Sequence, residues 1–330
     1  FRSVAAEVAD AVAHATRDLF GNPSSVHHHG QQAKAALDEA RSAVAQLIGA
    51  EPTEVVFTSG GTESNHLALL GLMGDSPSHV LVSAIEHPSL LGAATLLRAN
   101  GHQVDFIPVN NRGYVEPESV RRLLTPATRL VSVMLANNET GVISPIAELS
   151  ELAHESGALF HSDATQALGR IPVDLRTLGV DLASFSAHKL YGPKGCGGLY
   201  VRSKGPRVRL TPMMDGGGHE RGMRSGTLNV PGIVGLGAGM LGSYVQPGDD
   251  WTFYEINPLV TQAAERDFSY LNDARARGGQ LRVIHGDART VMERQIEESG
   301  SRQYDVLVLD AFTSDSIPVH LLTREAMETY

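Results

Sequence analysis

Apolar residues return every three to four positions over 4–20 and again over 31–48, which predicts two amphipathic helices. Gly21-Asn-Pro-Ser-Ser25 breaks the chain between them, and Gly49 stops the second. Short continuous apolar runs then take over. The stretches 54–58, 79–85, 103–108, 129–135, 158–161 and 181–184 each read as a buried strand. Helical spacing fills the intervals at 66–72, 89–99, 115–124 and 146–156. Strands alternating with helices of about ten residues predict an α/β fold, a mostly parallel sheet between helices with right-handed crossovers.

Polar residues recur where these strands end. Ser59-Gly-Gly-Thr-Glu-Ser-Asn65 follows the first and Glu86-His-Pro88 the second. Ala136-Asn-Asn-Glu-Thr-Gly141 follows the fourth, Ser162-Asp-Ala-Thr-Gln166 the fifth and Ser186-Ala-His-Lys189 the sixth. In parallel α/β sheets, ligands sit beyond the carboxyl ends of the strands. A Ser/Gly/Thr turn at a helix start offers unpaired N–H groups and a hydroxyl, which makes Gly61 and Thr62 a candidate phosphate cradle. Together the residues meet the needs of a pyridoxal phosphate site. Lys189 supplies the Schiff-base amine and Asp163 the carboxylate that keeps the ring nitrogen protonated. Thr62, Ser186 and His188 hold the phosphate, and Asn138 and Gln166 bond the ring oxygen. His87 stacks on the ring and moves protons near neutral pH.

Composition narrows the classes. A chain of 330 residues suggests about two domains. It is 42% hydrophobic and 19% charged, ordinary for a globular protein. The net charge of −10 argues against nucleic acid or an anionic membrane as the main partner. No run of 18 apolar residues and no signal peptide is found, so a cytoplasmic location is expected. Phe1 opens the chain already in a helical pattern, which suggests a truncated N-terminus. Cys196 is the single cysteine, so no intrachain disulfide forms. His27-His-His29 reads as a loop entering a helix, because adjacent side chains do not face one way, and no metal site is expected.

Seven segments, in order, resemble the cysteine desulfurases, class-V aminotransferase relatives of pyridoxal phosphate fold type I. They are Gly21-Asn-Pro-Ser-Ser25, Phe57-Thr-Ser-Gly-Gly-Thr-Glu-Ser-Asn65, Glu86-His-Pro88, Asn137-Asn-Glu-Thr-Gly141, His161-Ser-Asp-Ala-Thr-Gln166, Ser186-Ala-His-Lys-Leu-Tyr-Gly-Pro-Lys-Gly195 and Gly216-Gly-Gly-His-Glu-Arg-Gly-Met-Arg-Ser-Gly-Thr227. The resemblance covers about residues 1–235 and implies a large domain over 1–230. It implies sulfur transfer from L-cysteine, with a sulfur-acceptor protein as a possible partner and a role in iron-sulfur cluster biogenesis. It makes Lys189 and His87 catalytic. It also places Thr227 on a neighbouring subunit's phosphate, which implies a homodimer. The family's mobile-loop cysteine and carboxylate-binding arginine have no counterpart here, and Cys196 reads as a buried filler. Sulfur transfer is therefore expected to be impaired.

The pattern changes after Thr227. Residues 231–242 read as a strand, a glycine turn and a helix start, with further strands at 251–255, 281–287 and 304–310. Gly237, Gly239 and Gly242 match G-x-G-x-x-G. This part resembles the spermidine synthase-like proteins, of the S-adenosylmethionine methyltransferase fold. It implies a second domain over 231–330, a partial Rossmann-like unit binding S-adenosylmethionine or its decarboxylated form. Gly235, Gly237, Gly239, Glu255, Asp287 and Asp310 would bind the nucleotide, with Asp315 near an amine substrate. An aminopropyl or methyl transferase, or a non-catalytic chimera, are the alternatives to a desulfurase.

Overall fold

The computed structural model describes residues 4, 6–74, 76–205, 207–242, 250–255, 280–285, 291–292 and 294–295. The chain divides into two compact units, Val4–Gly242 and a second made of Phe1–Ser3 with Ser243–Tyr330.

In the first unit the helices are α1 (Ala6–Asp18), α2 (His28–Leu47), α3 (Gly61–Met73), α4 (Pro88–Ala99), α5 (Pro117–Leu123), α6 (Ile146–Glu155) and α7 (Val230–Gly242). The strands are β1 (Val55–Thr58), β2 (His79–Ser83), β3 (Gln103–Ile107), β4 (Thr128–Ser132), β5 (Leu159–Asp163), β6 (Leu182–Ser186) and β7 (Gly197–Val201). They form one sheet in the order β1-β7-β6-β5-β4-β2-β3. β7 runs antiparallel to both neighbours and the other pairings are parallel. The sheet is thus mixed but mostly parallel, the α/β architecture expected. β7 escaped the sequence pattern because it opens on two glycines and follows a turn with no intervening helix.

Each strand feeds two cores, because successive side chains point to opposite faces. On one face Val131, Phe160, Ala183, Phe185 and Tyr200 pack with Leu37 and Val44 of α2, Leu149 of α6 and Ile233 of α7. On the other, Val80, Val82, Leu130, Leu182 and Leu199 pack with Leu67 and Leu72 of α3 and with Leu90 and Leu97 of α4. Both faces are covered, so the strands read as continuous apolar runs rather than as alternation.

α7 corrects the nucleotide-loop expectation. Residues 231–242 are helical, so Gly235, Gly237 and Gly239 do not form a strand–turn–helix phosphate loop. Gly235 and Gly237 permit close helix packing instead. A Cβ on Gly235 would lie 2.5 Å from Val12 Cγ2, and one on Gly237 would lie 2.8 Å from the Ala40 Cα. Valine, isoleucine and spaced glycines favour a strand by propensity, but packing against α1 and α2 overrides it. The S-adenosylmethionine reading thereby loses the loop that would hold the nucleotide.

The second unit contains β8 (Asp250–Glu255) and β9 (Gln280–His285), paired in parallel with Glu255 opposite His285. Among the described residues this pair is its only sheet, short of the Rossmann-like unit expected. Asp287, Asp310, Asp315 and the expected strand at 304–310 lie outside the described residues. No helix among the described residues is long and apolar enough to cross a membrane.

Two of the three histidines open α2 rather than preceding it, and the first caps it. His27 is the N-cap, its Nδ1 accepting the Gly30 N–H at 3.1 Å, and His28 and His29 form the first turn. The α2 start thus uses His27 where a serine or aspartate is usual.

Candidate active site

β1 and β6 run the same way, each antiparallel to β7, so the carboxyl ends of β1, β2, β4, β5 and β6 share one edge of the sheet. The turns and helix starts beyond those ends build the site. After β1 the chain turns through Gly60, at φ 150° and ψ −179°, a conformation open to glycine. Gly197 comes so close that a Cβ on it would stand 2.6 Å from the Gly60 Cα. This approach sets the start of α3 beside the end of β6. A Cβ on Gly61 would meet Thr165 Oγ1 at 3.3 Å and the Ser186 Cβ at 3.6 Å. The first-turn amides of α3, the exposed Thr62 and the Ser186–His188 pair surround this point. Ser186 Oγ lies 2.8 Å from His188 Nδ1. A helix start with two hydroxyls and an imidazole is suited to a phosphate.

Asp163 ends β5 and is buried. Its Oδ1 accepts the Thr165 N–H at 2.9 Å and its Oδ2 accepts Asn65 Nδ2 at 2.8 Å. Asn65 Nδ2 also donates to Ser89 Oγ at 3.0 Å, and Ser89 Oγ lies 2.7 Å from His87 Nδ1. His87 is exposed and is the N-cap of α4, its Nδ1 accepting the Ser89 N–H at 3.2 Å. An unbroken polar chain therefore joins Asp163 to His87.

Two buried groups lie behind it. His161 sits two residues before Asp163 on the same face of β5, with Nδ1 2.8 Å from Ser132 Oγ and Nε2 2.9 Å from Ser184 Oγ. Burial pushes this imidazole down to about 4, against the pull of Asp163, so it is neutral at pH 7. Glu86 Oε1 accepts Ser83 Oγ and the Met134 N–H, each at 2.6 Å, while its buried Oε2 has no hydrogen-bond partner. Burial, then the Asp163 charge, push Glu86 up to about 8, even though the Ser83 and Met134 hydrogen bonds pull the other way. A carboxyl protonated in the fold and ionised when unfolded stabilises the fold fully below its unfolded pKa, near 4.5. That contribution is lost as pH rises towards about 8. Relative to Glu86→Gln, the wild-type protein should therefore lose stability at about 1.4 kcal/mol per pH unit over this window. Denaturant unfolding of both proteins across the window measures it, and a constant gap would show Glu86 ionised throughout.

The other expected residues are spread over the same edge. Lys189 closes the single turn Ala187–Lys189 after β6, half-buried, one strand over from Asp163. Burial, then the Lys189 charge, push His188 down to about 4. Gln166 Oε1 accepts Arg170 Nη1 at 2.6 Å. Asn138 is exposed at the turn after β4, while its neighbour Asn137 shapes that turn by accepting the Glu139 and Thr140 N–H groups. Thr227 is exposed at the end of the glycine-rich segment. Cys196 is buried, and burial raises its thiol to about 12.

The sequence alone assigns no role to Asn65, Glu86, Ser89 or Thr165, although each lies in or beside one of the motifs. Their partners are distant in the chain or on another strand, and no local spacing reveals them. Thr165 Oγ1 is buried without a hydrogen-bond partner beside the α3 start. That orphaned hydroxyl, the glycine-lined cradle, the buried carboxylate and the lysine together fit a phosphorylated aromatic aldehyde.

No group of three or more metal-binding side chains occurs among the described residues. An open groove of about 700 Å³ along α6 is lined by Glu148, Glu151 and His154 among others. It borders a helix that packs on the sheet face opposite α3 and offers neither lysine nor phosphate cradle.

A family model described as aminotransferase class-V matches residues 3–264, a span that runs through the α7 glycines and past Glu255. The cysteine desulfurase IscS of Rickettsia felis is 49% identical over 222 residues, 66% of this chain and 54% of the relative. The chain thus spans about half the length of the curated relatives it matches. A solved NifS-like protein superposes with a TM-score of 0.70 at 39% identity, over 73% of this chain and 67% of the other. A structure of SspA in complex with cysteine superposes with a TM-score of 0.70 at 36% identity, over 72% and 70%.

Proposed function

The chain belongs to the class-V aminotransferase family, and from that footing we propose that it is a pyridoxal phosphate-dependent, cysteine desulfurase-like protein acting on L-cysteine. The observation that carries this reading is the buried Asp163, fixed by Asn65 and Thr165 one strand over from the turn that bears Lys189. The cysteine held by a solved relative supports the substrate.

Bound pyridoxal phosphate supplies an electron sink for the substrate α-carbon. Lys189 attaches the cofactor through its Nζ. Asp163 would hold a proton on the ring nitrogen, its two oxygens fixed by the Asn65 amide and the Thr165 N–H. The amides of the α3 start, with Gly61, Thr62 and Ser186, receive the phosphate. His188 is neutral at pH 7 and joins them as a hydrogen-bonding group rather than a cation. Gln166 would offer its amide nitrogen to the ring oxygen, since its Oε1 is taken by Arg170, and Asn138 would bond the same oxygen. His87 holds and moves a proton at Nε2, the nitrogen not engaged by Ser89. Thr227 serves the phosphate of a second copy, which makes the working form a homodimer. A sulfur-acceptor protein completes the transfer.

Cys196 is not the thiol that takes the sulfur. With its pKa near 12, about one molecule in 10⁴ carries the thiolate at pH 8. Iodoacetamide is therefore expected to leave Cys196 unmodified in the native chain and to label it after unfolding. Sulfide release by this chain alone is expected near background, and robust release abolished by Cys196→Ser would overturn this assignment. The reading as a whole is tested by borohydride reduction after addition of pyridoxal phosphate. A mass gain on the peptide containing Lys189 supports it, and an unmodified peptide sinks it.

A further inference from the structure

We propose that Asn65 is a positioning residue that ties Asp163 to His87, holding the first carboxylate in place and, through Ser89, fixing the tautomer of His87 that carries its proton on Nε2. This deepens the pyridoxal phosphate reading and rests on it for the roles of Asp163 and His87.

The donors and acceptors along the chain leave one consistent assignment. An asparagine amide nitrogen has two hydrogens, and Asn65 Nδ2 uses both, on Asp163 Oδ2 at 2.8 Å and Ser89 Oγ at 3.0 Å. The flipped amide would set Oδ1 against a carboxylate oxygen, two acceptors face to face. Ser89 Oγ accepts from Asn65, so its own hydrogen is directed at His87 Nδ1, 2.7 Å away. The Ser89 backbone N–H points at the same nitrogen at 3.2 Å. With two donors aimed at it, Nδ1 is an acceptor, and the neutral ring bears its proton on Nε2. Each donor polarises the next, so the Asn65 amide strengthens the Ser89 hydroxyl as a donor to His87.

Asn65 is held this way at a cost. Its Oδ1 is buried and has no hydrogen-bond partner. A residue retained only to fill the α3–sheet contact would be better apolar, like Leu67 and Ala68 beside it. The orphaned oxygen is what the two-donor geometry leaves over.

The test uses the full ¹⁵N-labelled chain without cofactor, at a pH where imidazoles are neutral. Long-range ¹H–¹⁵N correlation reports which nitrogen of His87 is protonated, with His87→Gln identifying the signal among 14 histidines. The wild type is expected to show the Nε2–H form. Asn65→Leu, similar in volume but without donors, should lower the ratio of Nε2–H to Nδ1–H several-fold and weaken pyridoxal phosphate binding about tenfold or more. Ser89→Ala should shift the tautomer ratio while leaving cofactor affinity within a few-fold, because Asn65 still holds Asp163. A wild-type Nδ1–H form, or an unchanged ratio in folded Asn65→Leu, overturns the proposal. If Asn65→Leu does not fold, Ser89→Ala decides, and an unchanged ratio there overturns it equally. Loss of stability without a tautomer shift marks a merely structural role. A wild-type chain that takes up no cofactor defeats the functional reading alone, since the tautomer is read without cofactor.

Discussion

Replacing Lys189 with alanine is expected to take covalent retention of pyridoxal phosphate from about one per chain to none, as measured by borohydride reduction and peptide mapping. The sequence holds four lysines, Lys34, Lys189, Lys194 and Lys204. Lys34 is an exposed α2 residue 3.6 Å from Asp38, and Lys194 and Lys204 are exposed. Lys189 alone is half-buried at the carboxyl edge of the sheet. Its turn is held by backbone bonds from Ala187 N to Cys196 O at 3.0 Å and from Leu190 N and Gly192 N to Ala187 O at 2.8 and 3.0 Å. The next residue but one, Tyr191, takes φ 56°, a left-handed conformation for which a tyrosine depends on its surroundings. The backbone therefore fixes the turn that bears this one amine. Lys194→Ala should leave the adduct in place. Lys189→Arg retains the charge that helps hold His188 neutral but cannot form the adduct, so it separates attachment from electrostatics. An adduct persisting in Lys189→Ala, on Lys194 or elsewhere, would defeat the assignment.

The site was legible to different depths. Strand ends carry their own signal, since an apolar run that stops at a polar residue places that residue at the sheet edge. Asp163 and Ser186 fall there, and Lys189 comes within one turn of them. The support behind them was not legible. Asn65 and Asp163 are 98 residues apart, and only the close approach of α3 to β5 joins them. Glu86 reads locally as a polar residue beside His87, while its protonation depends on being enclosed near Asp163. The α7 glycines show the converse failure. Three spaced glycines fit a nucleotide turn or a close helix contact equally well, and the contact partners Val12 and Ala40 lie some two hundred residues upstream. Local chemistry tells which residues can react, whereas the partners that fix their protonation and orientation are set by the fold.

The second large effect concerns the edge of the sheet. β1 is an edge strand, and side chains satisfy its outer backbone groups. Glu220 Oε2 accepts the Phe57 N–H at 2.7 Å, while Arg41 Nη1 and Arg221 Nη2 donate to the Val55 carbonyl at 2.8 and 2.9 Å. Arg41 and Glu220 form a two-pronged pair at 2.9 and 2.7 Å, with side chains 13% and 2% exposed, and the Arg41 guanidinium lies 4.4 Å over the Phe57 ring. Glu220 and Arg221 are both left-handed, at φ 48° and 59°, so the glycine-rich segment accepts local strain to reach the strand. Arg224, at 2.9 Å from Glu63, ties the same segment to the start of α3. Glu220→Ala removes one partner of a buried pair and orphans the Phe57 N–H. It should cost about 3–5 kcal/mol, or roughly 6–20 °C in melting temperature. Glu220→Gln keeps one oxygen that can accept from both the Phe57 N–H and Arg41 Nη1, although its amide nitrogen then faces Arg41 Nη2, and should cost less. The double variant Arg41→Met, Glu220→Leu should recover part of the loss, since no charge is then left buried without a partner. Thermal unfolding of the four proteins measures this ordering. A Glu220→Ala cost below about 1 kcal/mol would place the pair among surface bridges and leave the segment bearing Thr227 without its anchor.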